Sequence, residues 1–152
     1  MRYAIVVGRF YEELAQRLVA SATRLFEQAG ADAIDVFDVP GAFELPLAAQ
    51  LAAQTGRYDG VACLGAVIRG DTSHYDHVCA EAARGIGEVA LRTGVPCGFG
   101  VLTVDSMEQA LERAGGDKRD EGVDAAAAVL ALGRVRAELA AGREEEPPSG
   151  VG

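Results

Sequence analysis

The strongest constraint on the fold is an alternation, along the chain, of short apolar segments and longer amphipathic segments. The apolar segments are short and mostly uninterrupted, which predicts strands buried on both faces. They comprise residues 3–7 (YAIVV), 33–37 (AIDVF), 60–64 (GVACL) and 97–102 (CGFGVL). Apolar periodicity and glycine stops between and after them predict helices. These helices are expected near 11–29, 44–54, 75–92, 106–114 and 122–140.

Strands separated by helices form a parallel sheet with right-handed crossovers. We therefore expect an α/β protein: a three-layer α/β/α sandwich with a four-stranded parallel sheet, flavodoxin-like in topology. A chain of 152 residues fits one domain, which we place at 1–141. The last segment, 142–152 (GREEEPPSGVG), has no apolar periodicity and is expected to be disordered.

Charge and composition exclude several classes of protein. The net charge is −9, from 14 Lys and Arg against 23 Asp and Glu, so general binding to nucleic acid is not expected. The longest apolar run, 125–132, is far shorter than the ~20 residues of a membrane span. The first residues lack a signal-peptide pattern. Three widely spaced cysteines indicate reduced thiols and a cytoplasmic location.

In parallel α/β sheets, ligands bind beyond the carboxyl ends of the strands. Phe10 and Phe43 follow two of the predicted strands, where polar turn residues are the norm. The segment 65–74 (GAVIRGDTSH) follows a third strand and directly precedes a helix. Its Asp71 and Thr72 suit a phosphate held at a helix N-terminus, and His74 suits acid–base chemistry near neutral pH.

Each of these features also has a plain structural explanation. The aromatic residues are equally compatible with helix packing, and the polar residues 71–73 with a helix cap that holds no ligand. His74 and His77 have HxxH spacing, but no third ligand is suitably spaced, so no metal is expected. The sequence lacks GxGxxG, P-loop and GxSxG motifs. The residues alone thus predict a small α/β protein that binds a small, phosphorylated ligand at the strand ends.

Two longer motifs allow a more specific interpretation of the sequence. These are 39–46 (VPGAFELP) and 65–76 (GAVIRGDTSHYD), accompanied by 5–10 (IVVGRF), 99–103 (FGVLT) and 112–115 (ERAG). With these motifs in this order and spacing, the chain resembles the 6,7-dimethyl-8-ribityllumazine synthase family of riboflavin biosynthesis over about residues 4–140. The resemblance implies condensation of 5-amino-6-(D-ribitylamino)uracil with 3,4-dihydroxy-2-butanone 4-phosphate. The products are the lumazine, phosphate and water, and no metal or organic cofactor is implied.

The resemblance also implies roles for individual residues. His74 would move protons, and Phe10 would stack on the pyrimidine. The rest of the pyrimidine site would comprise Ala42, Phe43, Glu44, Ala66, Val67, Ile68 and, from a neighbouring subunit, Phe99. The phosphorylated butanone would be held by Asp71, Thr72 and Arg113. Asp124 would lie behind Arg113 and orient it.

Two departures from the family pattern affect these expectations. Glu121 stands where the family usually has lysine, so a cation is lost or is supplied by Lys118 or Arg119. The chain also begins close to its first strand, whereas many relatives have an extra strand that pairs with a neighbour. The resemblance implies a homopentamer, and the compact segment 115–122 is compatible with a 60-subunit shell that encloses riboflavin synthase.

Three other functions remain open at this point. A shell or scaffold protein with weak catalysis would fit the presence of Glu121. A relative that binds lumazine or flavin without turnover would use the same pocket. Riboflavin synthase of the same fold would dismutate two lumazines, although the PGAFELP and GDTSH segments favour the lumazine-forming enzyme.

Overall fold

A computed structural model describes residues 1–116 and 118–145. The strands are β1 (Arg2–Gly8), β2 (Ala33–Val39), β3 (Gly60–Ile68) and β4 (Cys97–Val104). The helices are α1 (Glu12–Gln28), α2 (Leu45–Gln54), α3 (His74–Thr93), α4 (Met107–Arg113) and α5 (Glu121–Glu145). A 3₁₀ turn, Ala42–Glu44, leads into α2.

The four strands form one parallel sheet in the order β2-β1-β3-β4. This confirms the predicted α/β/α architecture with a four-stranded parallel sheet. One boundary differs: β3 continues to Ile68, so residues 65–68 are strand rather than loop. They pair with 101–104 of β4 and thereby extend the ladder to the point where ligands bind in such sheets.

Each face of the sheet buries its own core. Along β1, Tyr3, Ile5 and Val7 face a core that includes residues of α1, α4 and α5. Ala4 and Val6 face the opposite core, which is closed by α2 and α3. Since successive side chains of a strand point to opposite faces, an uninterrupted apolar strand such as β1 requires helices on both sides.

The three cysteines are unpaired. Cys63 is fully buried in β3, and burial raises the pKa of the nearby Cys97 thiol to about 11. Both thiols are therefore protonated near neutral pH and behave as small apolar groups in the core.

Helix α5 lies unusually close to β4. An added Cβ at Gly98 would come within 2.1 Å of the backbone oxygen of Ala125. Because backbone gives way less easily than a side chain, we expect Gly98→Ala to lower the free energy of unfolding by about 3 kcal/mol. Chemical denaturation of the variant measures this loss.

Gly87 of α3 provides the control for Gly98, because nothing lies within 4 Å of an added Cβ there. Gly87→Ala should stabilise the helix, by up to about 1 kcal/mol. Equal effects at the two positions would contradict the close packing of α5 on β4.

Helix α5 runs to Glu145, so it extends four residues into the segment 142–152 for which the sequence predicts disorder. The rest of that segment, 146–152, lies outside the described residues. Within the described ranges, no helix combines the length and apolar character needed to cross a bilayer.

Candidate active site

The chain reverses its direction of winding at the boundary between β1 and β3. From β1 it moves outward through α1 to β2, and then returns through α2 to β3 on the other side of β1. The loops after β1 and β3 therefore leave these neighbouring strands in opposite directions. A crevice opens between them at the carboxyl ends of the two strands, which is where such sheets usually bind ligands.

A cleft of about 590 Å³ occupies this position. It brings together eight of the residues predicted for the site, from four separate parts of the chain. Its complete lining is Phe10, Tyr11, Gly41, Ala42, Phe43, Glu44, Ala66, Val67, Ile68, His74 and Val78.

Two of the lining aromatics are strongly exposed. Phe10 is 76% exposed and Phe43 is 61% exposed, although both are large apolar residues. Among the residues that the structure describes, the ring of Phe10 contacts one other ring, that of Tyr11, in an edge-to-face arrangement at 4.9 Å. Packing against the described part of the chain therefore leaves most of both side chains uncovered, which favours a ligand or a second protein surface as their partner.

Glycines allow the β1 loop and the 41–44 turn to meet. An added Cβ at Gly8 would lie 2.9 Å from the carbonyl carbon of Gly41. The backbone N–H of Gly41 donates to Oε1 of Glu44 at 3.0 Å, which fixes the Glu44 carboxylate at the start of α2. One carboxylate oxygen of Glu44 is thus held by the backbone, and the described residues make no hydrogen bond to the other, Oε2.

His74 is the first residue of α3, and its side chain is exposed at the mouth of the cleft. The residues before it, 71–73, are exposed and surround the helix N-terminus. The backbone N–H of His74 donates to the Thr72 hydroxyl at 3.3 Å, so this hydroxyl lies directly at the start of the helix. A helix of 20 residues presents free N–H groups and partial positive charge at this end.

Few charged groups face the cleft. Among the eleven described residues of its lining, the ionisable side chains are Tyr11, Glu44 and His74, and neither lysine nor arginine is present. A phosphorylated ligand in this cleft therefore needs a cation from elsewhere.

Five predicted residues lie outside the described cleft lining: Asp71, Thr72, Phe99, Arg113 and Asp124. Phe99 lies in the middle of β4, an edge strand, and is 39% exposed. Arg113 ends α4, where its Nη1 donates to the carbonyl oxygen of Gln109 at 3.0 Å. Asp124 pairs with Arg119 at 3.2 Å, so it holds a different arginine from the one the resemblance implies.

Glu121 lies close to these arginines. Its Oε1 is 3.8 Å from Nη2 of Arg119, and Arg113 acts on it at longer range. Desolvation by burial raises the pKa of the Glu121 carboxyl above its ordinary value despite these cations. Arg119 therefore places a positive charge beside the position where the family usually has lysine.

Sequence reasoning missed Tyr11, Gly41 and Val78 as parts of the cleft. Tyr11 and Gly41 adjoin residues that were predicted, so the motifs contained the signal for them. Val78 lies one turn after His74 on the same face of α3, and helical spacing alone would have identified it.

Fold and cleft together define an α/β protein with a cleft at the topological switch point of a parallel sheet, where such proteins usually bind small molecules. Comparison with known proteins is more specific. Residues 1–137 match the family described as 6,7-dimethyl-8-ribityllumazine synthase. The chain belongs to this family.

Curated relatives with that name share close to half of their residues with this chain. The protein from Desulfovibrio desulfuricans is 47% identical over 141 residues, which cover 91% of this chain and 90% of the relative. The protein from Nitratidesulfovibrio vulgaris strain Miyazaki F has the same identity and coverage, and that from strain DP4 is 45% identical.

Proposed function

We propose that this cleft is where the chain condenses 5-amino-6-(D-ribitylamino)uracil with 3,4-dihydroxy-2-butanone 4-phosphate, as its family membership implies. The reaction gives 6,7-dimethyl-8-ribityllumazine, phosphate and water, a step of riboflavin biosynthesis. The observation that carries the proposal is the convergence of eight predicted site residues on one cleft at the switch point. The name that the relatives carry favours this enzyme over a scaffold, a flavin-binding relative or riboflavin synthase.

The pyrimidine substrate fits the apolar half of the cleft. The exposed ring of Phe10 offers a face on which a planar pyrimidine can stack. Backbone groups of Ala66, Val67 and Ile68 at the end of β3 would form hydrogen bonds with the edge of the pyrimidine ring. Glu44, held by Gly41, would accept hydrogen bonds from the ribityl hydroxyls through its free oxygen, beside Ala42 and Phe43.

The phosphorylated butanone would bind at the start of α3. The backbone of Asp71 and Thr72 and the Thr72 hydroxyl lie at the positive end of the helix dipole, immediately before His74. Binding would transfer the Thr72 hydroxyl from the backbone of His74 to the phosphate. His74 would then be adjacent to the carbon atoms of the same substrate.

The chemistry needs proton transfer and stabilisation of a leaving phosphate. The pyrimidine amine adds to the ketone, and loss of water gives an imine. Removal of a C–H proton then expels phosphate, and the second amine closes the ring with loss of another water. A histidine that accepts and returns protons typically contributes about 10²–10⁴-fold to such steps, and two substrates bound side by side gain further from proximity.

A second copy of the chain would complete the site. Phe99 and Arg113 are partly exposed and lie away from the cleft of their own chain, which itself contains no arginine or lysine in the described lining. A neighbour that places its Phe99 against Phe10 and its Arg113 near the phosphate would cover the exposed aromatics and supply the cation. Head-to-tail contacts of this kind close into a ring when the rotation between copies permits it, and the homopentamer that the resemblance implies would be such a ring.

Formation of the lumazine from its two substrates tests the proposed function. Purified protein mixed with both substrates should generate the absorbance and fluorescence of 6,7-dimethyl-8-ribityllumazine, together with equimolar phosphate. Omission of either substrate should abolish both signals. Folded protein that binds the pyrimidine but gives no product would favour a relative that binds without turnover.

A further inference from the structure

Arg69 lies at the start of the segment that contains Asp71 and Thr72, the residues proposed to bind phosphate. It directly follows β3, and its backbone N–H donates to the carbonyl oxygen of Val104 at the end of β4 at 2.8 Å. Its Nε donates to Oδ1 of Asp105 at 2.9 Å, and its Nη1 lies 3.8 Å from Oδ1 of Asp76 in the first turn of α3. The guanidinium also lies over the ring of Tyr75, 4.3 Å from its centre. Both ends of the segment 70–74 are thus joined through one side chain.

Arg9 repeats this arrangement on the other side of the cleft. It directly follows β1, and its backbone N–H donates to the carbonyl oxygen of Val39 at the end of β2 at 2.9 Å. Its Nε donates to Oδ1 of Asp38 at 2.8 Å, and its Nη1 donates to Oε1 of Glu12, the first residue of α1, at 3.1 Å. Both arginines therefore join an edge strand to a helix. Arg9 joins the end of β2 to the start of α1, and Arg69 joins the end of β4 to the start of α3.

We propose that Arg9 and Arg69 are positioning residues: they hold Phe10 and His74, the two opposite walls of the cleft, and neither binds substrate. The inference rests on the proposed function, because it assigns both residues to that reaction. Phe10 lies between Arg9 and its helix partner Glu12 in sequence, and His74 lies between Arg69 and its partner Asp76. Each of these two ion pairs therefore joins residues on either side, in sequence, of a residue that the proposed reaction needs.

The alternative is that Arg69 binds the substrate phosphate. Against it, the cation already has three partners: the carboxylates of Asp76 and Asp105 lie within 4 Å of its nitrogens, and the ring of Tyr75 stacks on it. The hydrogen bond that Arg69 donates to Asp105 raises the pKa of the guanidinium. A phosphate would have to displace carboxylates that are already in contact.

Exposed ion pairs add little to global stability, so their loss should affect the loop and not the fold. Misplacement of a reacting group by about 1 Å can lower the rate by up to about 10²-fold. We therefore expect a moderate effect on turnover: about tenfold lower kcat in Arg69→Gln, with a thermal midpoint close to that of the unmodified chain.

A double-mutant cycle on Arg69 and Asp105 separates the two roles. If Arg69 is a positioning residue, Asp105→Asn should also lower kcat about tenfold, and the double variant should be no worse than the worse single variant. Arg69→Lys should remain impaired, because one ammonium group cannot replace the planar fork and the stacking on Tyr75.

Arg9→Gln should instead raise the KM of the pyrimidine. Arg17→Gln, which breaks an exposed pair with Glu13 on α1, is the matched control.

The opposite pattern would overturn the proposal. If Arg69 instead bound the substrate phosphate, Arg69→Gln would have a raised KM for the butanone phosphate and Arg69→Lys would retain activity. Asp105→Asn would then bind inorganic phosphate normally or more tightly. Amide hydrogen exchange of residues 70–74 provides a readout that is independent of turnover. It should accelerate in Arg69→Gln and Asp105→Asn even if the chain forms no lumazine, and unchanged exchange would refute the positioning role.

Discussion

His74→Ala is expected to lower kcat by about 10²-fold, with little change in pyrimidine binding. His74 is the only histidine in the described lining of the cleft, and it directly follows the residues proposed to hold the phosphate. Without it, removal of the C–H proton that expels phosphate depends on water. Steady-state kinetics with each substrate varied in turn, together with a binding titration of the pyrimidine, measure the two quantities separately.

His77 provides a matched control for this result. It is an exposed histidine three residues further along the same helix and does not line the cleft. His77→Ala should therefore retain nearly full kcat. If His74→Ala were fully active, or if both variants were equally impaired, His74 would have no specific part in the mechanism.

Mixed assemblies of Phe10→Ala and Phe99→Asp are expected to regain activity that neither variant has alone. Phe10 lines the cleft, whereas Phe99 lies on the edge strand β4 outside it. If a neighbour supplies Phe99, each parent carries a defect in every site. A mixed ring contains interfaces at which an intact Phe10 meets an intact Phe99. The two variants are unfolded together, refolded, and assayed against the mean of the parents.

Separate tags on the two variants show whether mixed assemblies have formed. Leu91 is 88% exposed on α3 and lies outside the cleft lining, so Leu91→Ala refolded with Phe10→Ala provides a comparison in which one partner is a surface variant. Mixed assemblies of Phe10→Ala with Phe99→Asp that remain inactive would place the whole site within one chain.

The sequence predicted the architecture well because its signals were local. The apolar run of β1 requires cover on both faces, and glycine stops such as Gly30 and Gly94 have positive φ values that end helices. The ends of the strands were predicted less well. Residues 65–68 were predicted to belong to the segment 65–74 that follows the third strand, but pairing with β4 keeps them in the sheet. That pairing is a tertiary contact, which no local pattern reveals.

The sequence also predicted which segments would meet at the cleft. The motifs that contain Phe10, Glu44 and His74 sit at strand ends, and the parallel topology brings strand ends together. The positions of Arg113 and Asp124 were not predictable, because they depend on how α4 and α5 pack beside β4. The contacts of Arg9 and Arg69 were also missed, since each joins residues about 30 or more positions apart.

The central claim is that the cleft between Phe10 and His74 is where the two substrates meet. A crystal structure of the protein with the ribitylaminouracil and inorganic phosphate tests it most directly. The account predicts the pyrimidine ring stacked on Phe10, the ribityl chain at Glu44, and phosphate at the N-terminus of α3 beside Thr72. Pyrimidine bound elsewhere on an enzyme that forms the lumazine, with this cleft empty, would contradict it.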